Sequence, residues 1–264
     1  MQLDANPQLM ILVGPPGSGK SQAIQSIITD MYNTKRINFG IAFVGSKFAG
    51  NYDYLPDDMV KEGYDEQELQ NYVEEVASFI RKNKIKRAPQ SFILFDDLMG
   101  VMDLYSPFFT NLIARFRHFG FNIIFGVQYL KKGVPTTVRE CMTVAMMWRS
   151  YNKESFDACY TYFGQVAHDE KQFEELYDKA TSVQHRCLVF QPPSNIYGER
   201  PKSRDALIAY SYYGYIAPAK IKKIKLYKKN LKKNESAKNS IKSPVNGDEQ
   251  QLLNTFKGES WWYS

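Results

Sequence analysis

Gly14-Pro15-Pro16-Gly17-Ser18-Gly19-Lys20-Ser21 is the stretch that decides the fold. It satisfies every fixed position of the phosphate-binding pattern G-x-x-x-x-G-K-[ST]. The residue types follow from the chemistry. Gly14, Gly17 and Gly19 let the backbone curl so that its N–H groups converge on a phosphate, with Pro15, Pro16 and Ser18 filling the same cradle. Lys20 supplies a point charge of the right reach for β- and γ-phosphates, and the Ser21 hydroxyl is a group of the kind that holds Mg²⁺. The flanks supply the required context. Leu9-Met10-Ile11-Leu12-Val13 is a short apolar run suited to a buried parallel strand, and Ala23, Ile24, Ile27, Ile28 and Met31 recur at helical spacing.

Working outward, the next informative stretch is Ser91-Phe92-Ile93-Leu94-Phe95-Asp96-Asp97. An apolar run ending in a carboxylate buries itself as a strand and delivers Asp96 to the strand's C-terminal end, where ligands bind in open parallel sheets. Asp96 is then placed to share Mg²⁺ with Ser21, and Asp97 to polarise an attacking water. Asp97 is one methylene shorter than a glutamate, and position is critical for a general base. A third run, Phe121 to Val127, ends in Gln128, which falls at the same sheet edge and can sense a γ-phosphate or orient water.

The remaining pattern is α/β. Gly40–Gly45 reads as a strand, residues 46–63 as loop, and residues 68–82 as an amphipathic helix. Ser106-Pro107 opens a helix that Gly120 stops. A strand is expected over 143–148, helices over 152–163 and 169–180, and a last strand over 183–190. Strands alternating with helices predict a mostly parallel sheet flanked by helices, with residues 1–195 forming one domain. Residues 196–264 read as a basic, partly disordered C-terminal extension holding an aromatic cluster at 210–215 and ending in Trp261-Trp262-Tyr263, a candidate docking peptide.

Composition bounds the partners. Of 34 Lys/Arg and 28 Asp/Glu, residues 196–264 hold 14 and 6, so a near-neutral body carries a basic tail. Such a tail suits a polyanionic partner, or is a solvated extension. Cys141, Cys159 and Cys187 are widely spaced and odd in number, and the three histidines have no metal-ligand spacing, which argues against a disulfide framework or a zinc site. The first residues lack the features of a signal peptide, and no run is apolar and long enough to cross a membrane, so no membrane partner is expected.

The set GPPGSGKS, then ILFDD, then Arg117-His118 before an apolar strand ending in Gln128, then Val134-Pro135 and Arg139, resembles the genome-packaging ATPases of large DNA viruses, the poxvirus type, with their virophage and Polinton-like relatives in the FtsK/HerA superfamily of P-loop ATPases. The resemblance spans roughly residues 8–190. It implies a RecA-like sheet, a homo-oligomeric ring, and ATP hydrolysis that drives double-stranded DNA into a capsid through contact with a capsid or portal protein. It also implies work in the host cytoplasm, a viral factory or the virion, and an arginine given to the neighbouring subunit, with Arg117 and Arg139 as candidates. Two rivals remain at this point: an assembly ATPase of the type that extrudes filamentous phage, and a nucleotide-binding nucleic-acid scaffold that hydrolyses poorly.

Overall fold

A computed structural model describes residues 6–47, 52–83, 90–98, 102–192, 201–219 and 221. The lysine-rich run after residue 221, the polar stretch 235–249 and the Trp261-Trp262 end lie outside the described residues.

The chain begins with β1 (Leu9–Val13), the phosphate loop and α1 (Lys20–Asn33), then β2 (Gly40–Val44), a 3₁₀ turn (Asp57–Met59) and β3 (Val60–Glu62). α2 (Glu66–Lys82) is capped by Asp65, whose carboxylate accepts from the Glu68 N–H at 3.1 Å. It therefore starts two residues earlier than its apolar spacing suggests. β4 (Ser91–Asp96) and α3 (Pro107–Arg115) follow, the latter opened by Ser106, whose hydroxyl accepts from the Phe109 N–H. After β5 (Phe121–Val127) come α4 (Leu130–Gly133), α5 (Thr136–Cys141), β6 (Val144–Trp148), α6 (Lys153–Phe163), α7 (Glu170–Thr181), β7 (Cys187–Phe190), α8 (Arg204–Ser211) and β8 (Tyr212–Tyr215).

Among the described residues the strands form one sheet in the order β3-β2-β4-β5-β1-β6-β7-β8. The first six are parallel; β7 and β8 are added antiparallel. The alternation of β1 shows how both faces are covered. Leu9, Ile11 and Val13 face the core shared with α2, α3 and α5–α7, while Met10 and Leu12 face α1. With both faces buried, the central strands need continuous apolar runs.

An aromatic ladder pins the register beneath the functional edge. Phe43, Phe95 and Phe125 are directly opposed on β2, β4 and β5. Their rings stack with centroids 5.8 and 5.1 Å apart. A one-residue slip would throw these rings to the other face. The register that keeps them together sets Asp96 beside Gly126.

Three expectations are corrected. Residues 46–63 are not all loop: Val60–Glu62 pair with β2 at the sheet edge, a strand too short to show a period. The strand expected over 183–190 begins only at Cys187, because 183–186 turn back through His185 in a left-handed conformation (φ 64°). The domain boundary expected at 195 falls inside the sheet. The 210–215 cluster ends α8 and forms β8 on β7, where Tyr212 stacks on Phe190 and donates to the Phe163 carbonyl.

Candidate active site

The phosphate loop leaves β1 at Gly14, whose N–H donates to the Val127 carbonyl on β5, and enters α1 through Gly19. Gly17 and Gly19 have φ of 73° and 108°, the left-handed region open to glycine, so the sequence pattern is here a backbone requirement. α1 has no side-chain cap at its N-terminus. Its first N–H groups point at the cavity mouth, an arrangement suited to an anion. The Ser18 hydroxyl is buried there without a hydrogen-bond partner. Lys20 folds back on the loop, its Nζ donating to the carbonyls of Gly14 (2.5 Å) and Pro15 (3.1 Å). Burial lowers its pKa, against the pull of Asp96 and Asp97.

Asp96 ends β4 at 4 % exposure. Its Oδ2 accepts from the Tyr52 hydroxyl at 2.6 Å. A Cβ on Gly126 would lie 2.0 Å from Oδ1, so only glycine in the neighbouring strand leaves the carboxylate its place. Burial raises the Asp96 pKa, opposed by the Tyr52 bond and the Lys20 charge. A buried carboxylate beside a lysine and an unpartnered serine hydroxyl suits a hydrated divalent cation and phosphate oxygens, hard ligands that would repay that burial. Asp97 is held in the left-handed region (φ 56°), which aspartate tolerates better than most residues. Its carboxylate accepts from Gln128 Nε2 at 2.9 Å.

The loop, Lys20, Ser21, Asp96, Asp97 and Gln128 all line one cavity of about 670 Å³, so the residues expected from three separated stretches meet. The two arginines do not line it. Arg117 sits in the turn before β5, at the sheet edge opposite the loop, exposed, with its guanidinium 5.4 Å from the Phe116 ring centroid. Arg139 is held within its own neighbourhood. It donates to the Val134 carbonyl and to Thr136 Oγ1, and lies 4.0 Å over the Tyr162 ring.

Sequence reasoning missed Tyr52, Gly126, His185 and Ile216, all of which line the cavity. Gly126 carried a signal, since a glycine inside an apolar strand often marks a close approach. The other three carried none.

The poxvirus A32 protein family model matches residues 1–163. The chain belongs to this family. The match runs from the N-terminus through α6 and stops before β7, so it takes in every parallel strand and all the phosphate-end residues. No curated protein sequence matches the chain. Among solved structures, the chain is similar to the genome packaging NTPase B204 from Sulfolobus turreted icosahedral virus 2 in complex with ATP-gammaS, at 15 % identity and a TM-score of 0.54 over 82 % of this chain and 100 % of that one. It is also similar to ATPases 2 and 3 of EssC from Geobacillus thermodenitrificans, at 12 % identity and a TM-score of 0.52 over 91 % of this chain and 46 % of that one. At such identities the likeness is one of fold. Among the described residues no helix is long and apolar enough to cross a membrane.

Proposed function

We propose that this protein is an ATP-hydrolysing motor that packages double-stranded DNA into a viral capsid. The carrying observation is the convergence of Lys20, Ser21, Asp96, Asp97 and Gln128 on one cavity at the C-terminal edge of the parallel sheet. Membership of the poxvirus A32 family and the fold shared with a genome packaging NTPase support the substrate and the cargo.

In this reading the loop N–H groups and Lys20 hold the phosphates, Lys20 exchanging two loop carbonyls for phosphate oxygens. Ser21 and Asp96 hold Mg²⁺, which when bound neutralises charge on the transferring phosphoryl group. Asp97 accepts a proton from the attacking water. Gln128, already bonded to Asp97, fixes the carboxylate's direction, which compensates for the short side chain. An arginine from the next subunit of a ring stabilises the transition state. Arg117 is the better placed of the two candidates, because it is exposed while Arg139 is spent on Val134, Thr136 and Tyr162. Residues 222–264 form a basic extension that meets a polyanion, and a capsid or portal component completes the machine. The work takes place in the host cytoplasm or viral factory.

The test is steady-state ATP hydrolysis with and without linear double-stranded DNA, with Lys20→Ala as the blank. DNA-stimulated turnover that the blank lacks is expected. Turnover indifferent to DNA would overturn the motor while leaving an ATPase. Turnover retained by the blank would overturn the site itself.

A further inference from the structure

The cavity at the phosphate loop has two unlike ends. The polar end is described above. The other is built by the chain beyond the parallel strands: His185, in the turn before β7, and the strap Ile216–Ala219 that follows β8. Both parts are anchored. Gln22 Nε2 donates to the Pro218 carbonyl at 2.7 Å, and the Tyr215 hydroxyl donates to Ser26 Oγ at 3.0 Å, so α1 grips the strap at two points. The His185 carbonyl accepts from Trp148 Nε1 at 3.0 Å, and its Nδ1 lies 3.3 Å from the Ser18 carbonyl oxygen of the phosphate loop. The imidazole nonetheless stays exposed, and Ile216 is 51 % exposed, an unusual position for a large aliphatic side chain on a pinned segment.

We infer that this end is the nucleobase subsite: His185 and the strap Ile216–Ala219 receive the base of the nucleoside triphosphate whose phosphates the loop cradles. The inference rests on the nucleotide reading above and specifies its far end. A volume of about 670 Å³ fits a whole small-molecule ligand rather than a phosphate chain alone. An imidazole and the aliphatic groups of Ile216, Ala217 and Ala219 offer a flat heteroaromatic ring stacking and dispersion, which are indifferent to the identity of the base. Among the described residues at this end, Gln22 is the other polar side chain, and its amide nitrogen is committed to Pro218. The base edge therefore meets strap backbone. Strong discrimination arises where buried polar side chains would be left unpaired by the wrong ligand, and apolar contacts supply only about a hundredfold or less. The subsite takes adenine and guanine alike.

The full-length protein is titrated calorimetrically, with Mg²⁺ present, against ATP, GTP and inorganic tripolyphosphate. Two variants accompany it. His185→Gly suits the left-handed backbone, and Ile216→Asn changes a half-exposed side chain, so each is compatible with the fold for its own reason. The expected result is that each variant weakens ATP binding roughly tenfold, as loss of one stacking surface does, and leaves tripolyphosphate binding unchanged. ATP and GTP are expected to bind within about tenfold of each other. Variants that weaken ATP and tripolyphosphate equally, or wild-type protein that binds ATP no better than tripolyphosphate, would overturn the subsite and leave the phosphate site standing. If tripolyphosphate binds no worse to Lys20→Ala than to the wild type, the nucleotide reading itself falls, and the subsite with it.

Discussion

The two ends of the nucleotide cavity come from different parts of the chain, built by different rules. The phosphate end is made where parallel strands β1, β4 and β5 stop, and each contributes its residue immediately at or after the strand: Gly14, Asp96 with Asp97, and Gln128. Strand direction alone places them together, so the backbone dictates the chemistry. The opposite end is made by antiparallel additions, β7 and β8, and by turns and straps held through side chains such as Gln22, Ser26 and Trp148. The family match covers the first and stops short of the second. Residues fixed by sheet direction carry a fixed chemistry, whereas residues held by packing leave more freedom in what they present.

The contrast can be tested by perturbing each end. The largest effect is expected from Lys20→Ala, which should lower turnover by about 10²–10³-fold or more, as loss of a preorganised charge at a phosphoryl group does. A single-turnover assay at saturating ATP separates this from weaker binding. Gly126→Ala comes next. The new Cβ would have to displace the Asp96 carboxylate, so kcat should fall about a hundredfold, the scale of a small misplacement of a reacting group. Turnover near the wild-type value would mean that the β4–β5 register does not set the position of Asp96. The two arginines should part company. Arg139→Ala removes two hydrogen bonds and a ring contact and should cost about 1–2 kcal/mol in urea unfolding, whereas Arg117→Ala should stay within about 0.5 kcal/mol while lowering turnover.

The added end should fail through stability first. Tyr212→Phe leaves the buried Phe163 carbonyl without its donor and should cost about 1 kcal/mol, with kcat little changed. The smallest effect concerns alkaline pH. Burial pushes the thiols of Cys159 and Cys187 up to about 12, while unfolded thiols ionise near 9. Between these values the unfolded state holds fewer protons than the native one, so the contribution of these thiols is intact below pH 9 and is lost as pH rises toward 12. Chemical denaturation across that range should show stability falling, and a Cys159→Ala, Cys187→Ala double variant should show a shallower fall.

The phosphate end was legible because its information is local. The glycine spacing around Lys20, the apolar run into Asp96 and the run into Gln128 each announce a strand and what stands at its end. The rest depends on partners distant in sequence. Val60–Glu62 is a strand only because β2 lies beside it, and the 210–215 aromatics looked like a surface cluster until β7 gave them an edge to pair with. Val183 to Arg186 had the apolar start of a strand, yet the left-handed turn at His185 delays β7 to Cys187. Tyr52 gave no sign at all, being one tyrosine among 18 in a stretch that reads as loop.

That tyrosine has a consequence for communication across the molecule. One oxygen of Asp96 is packed over Gly126 and the other is bonded to the Tyr52 phenol, so a cation arriving at the carboxylate competes with a hydroxyl already seated there. Tyr52 belongs to the segment that runs on through Tyr54 and the 3₁₀ turn into β3, the outermost strand on that side of the sheet. Loading and emptying of the catalytic centre is thereby reported to the rim of the protein as the making and breaking of one phenol bond. A neighbour resting against that rim could sense which stage of the cycle this subunit has reached.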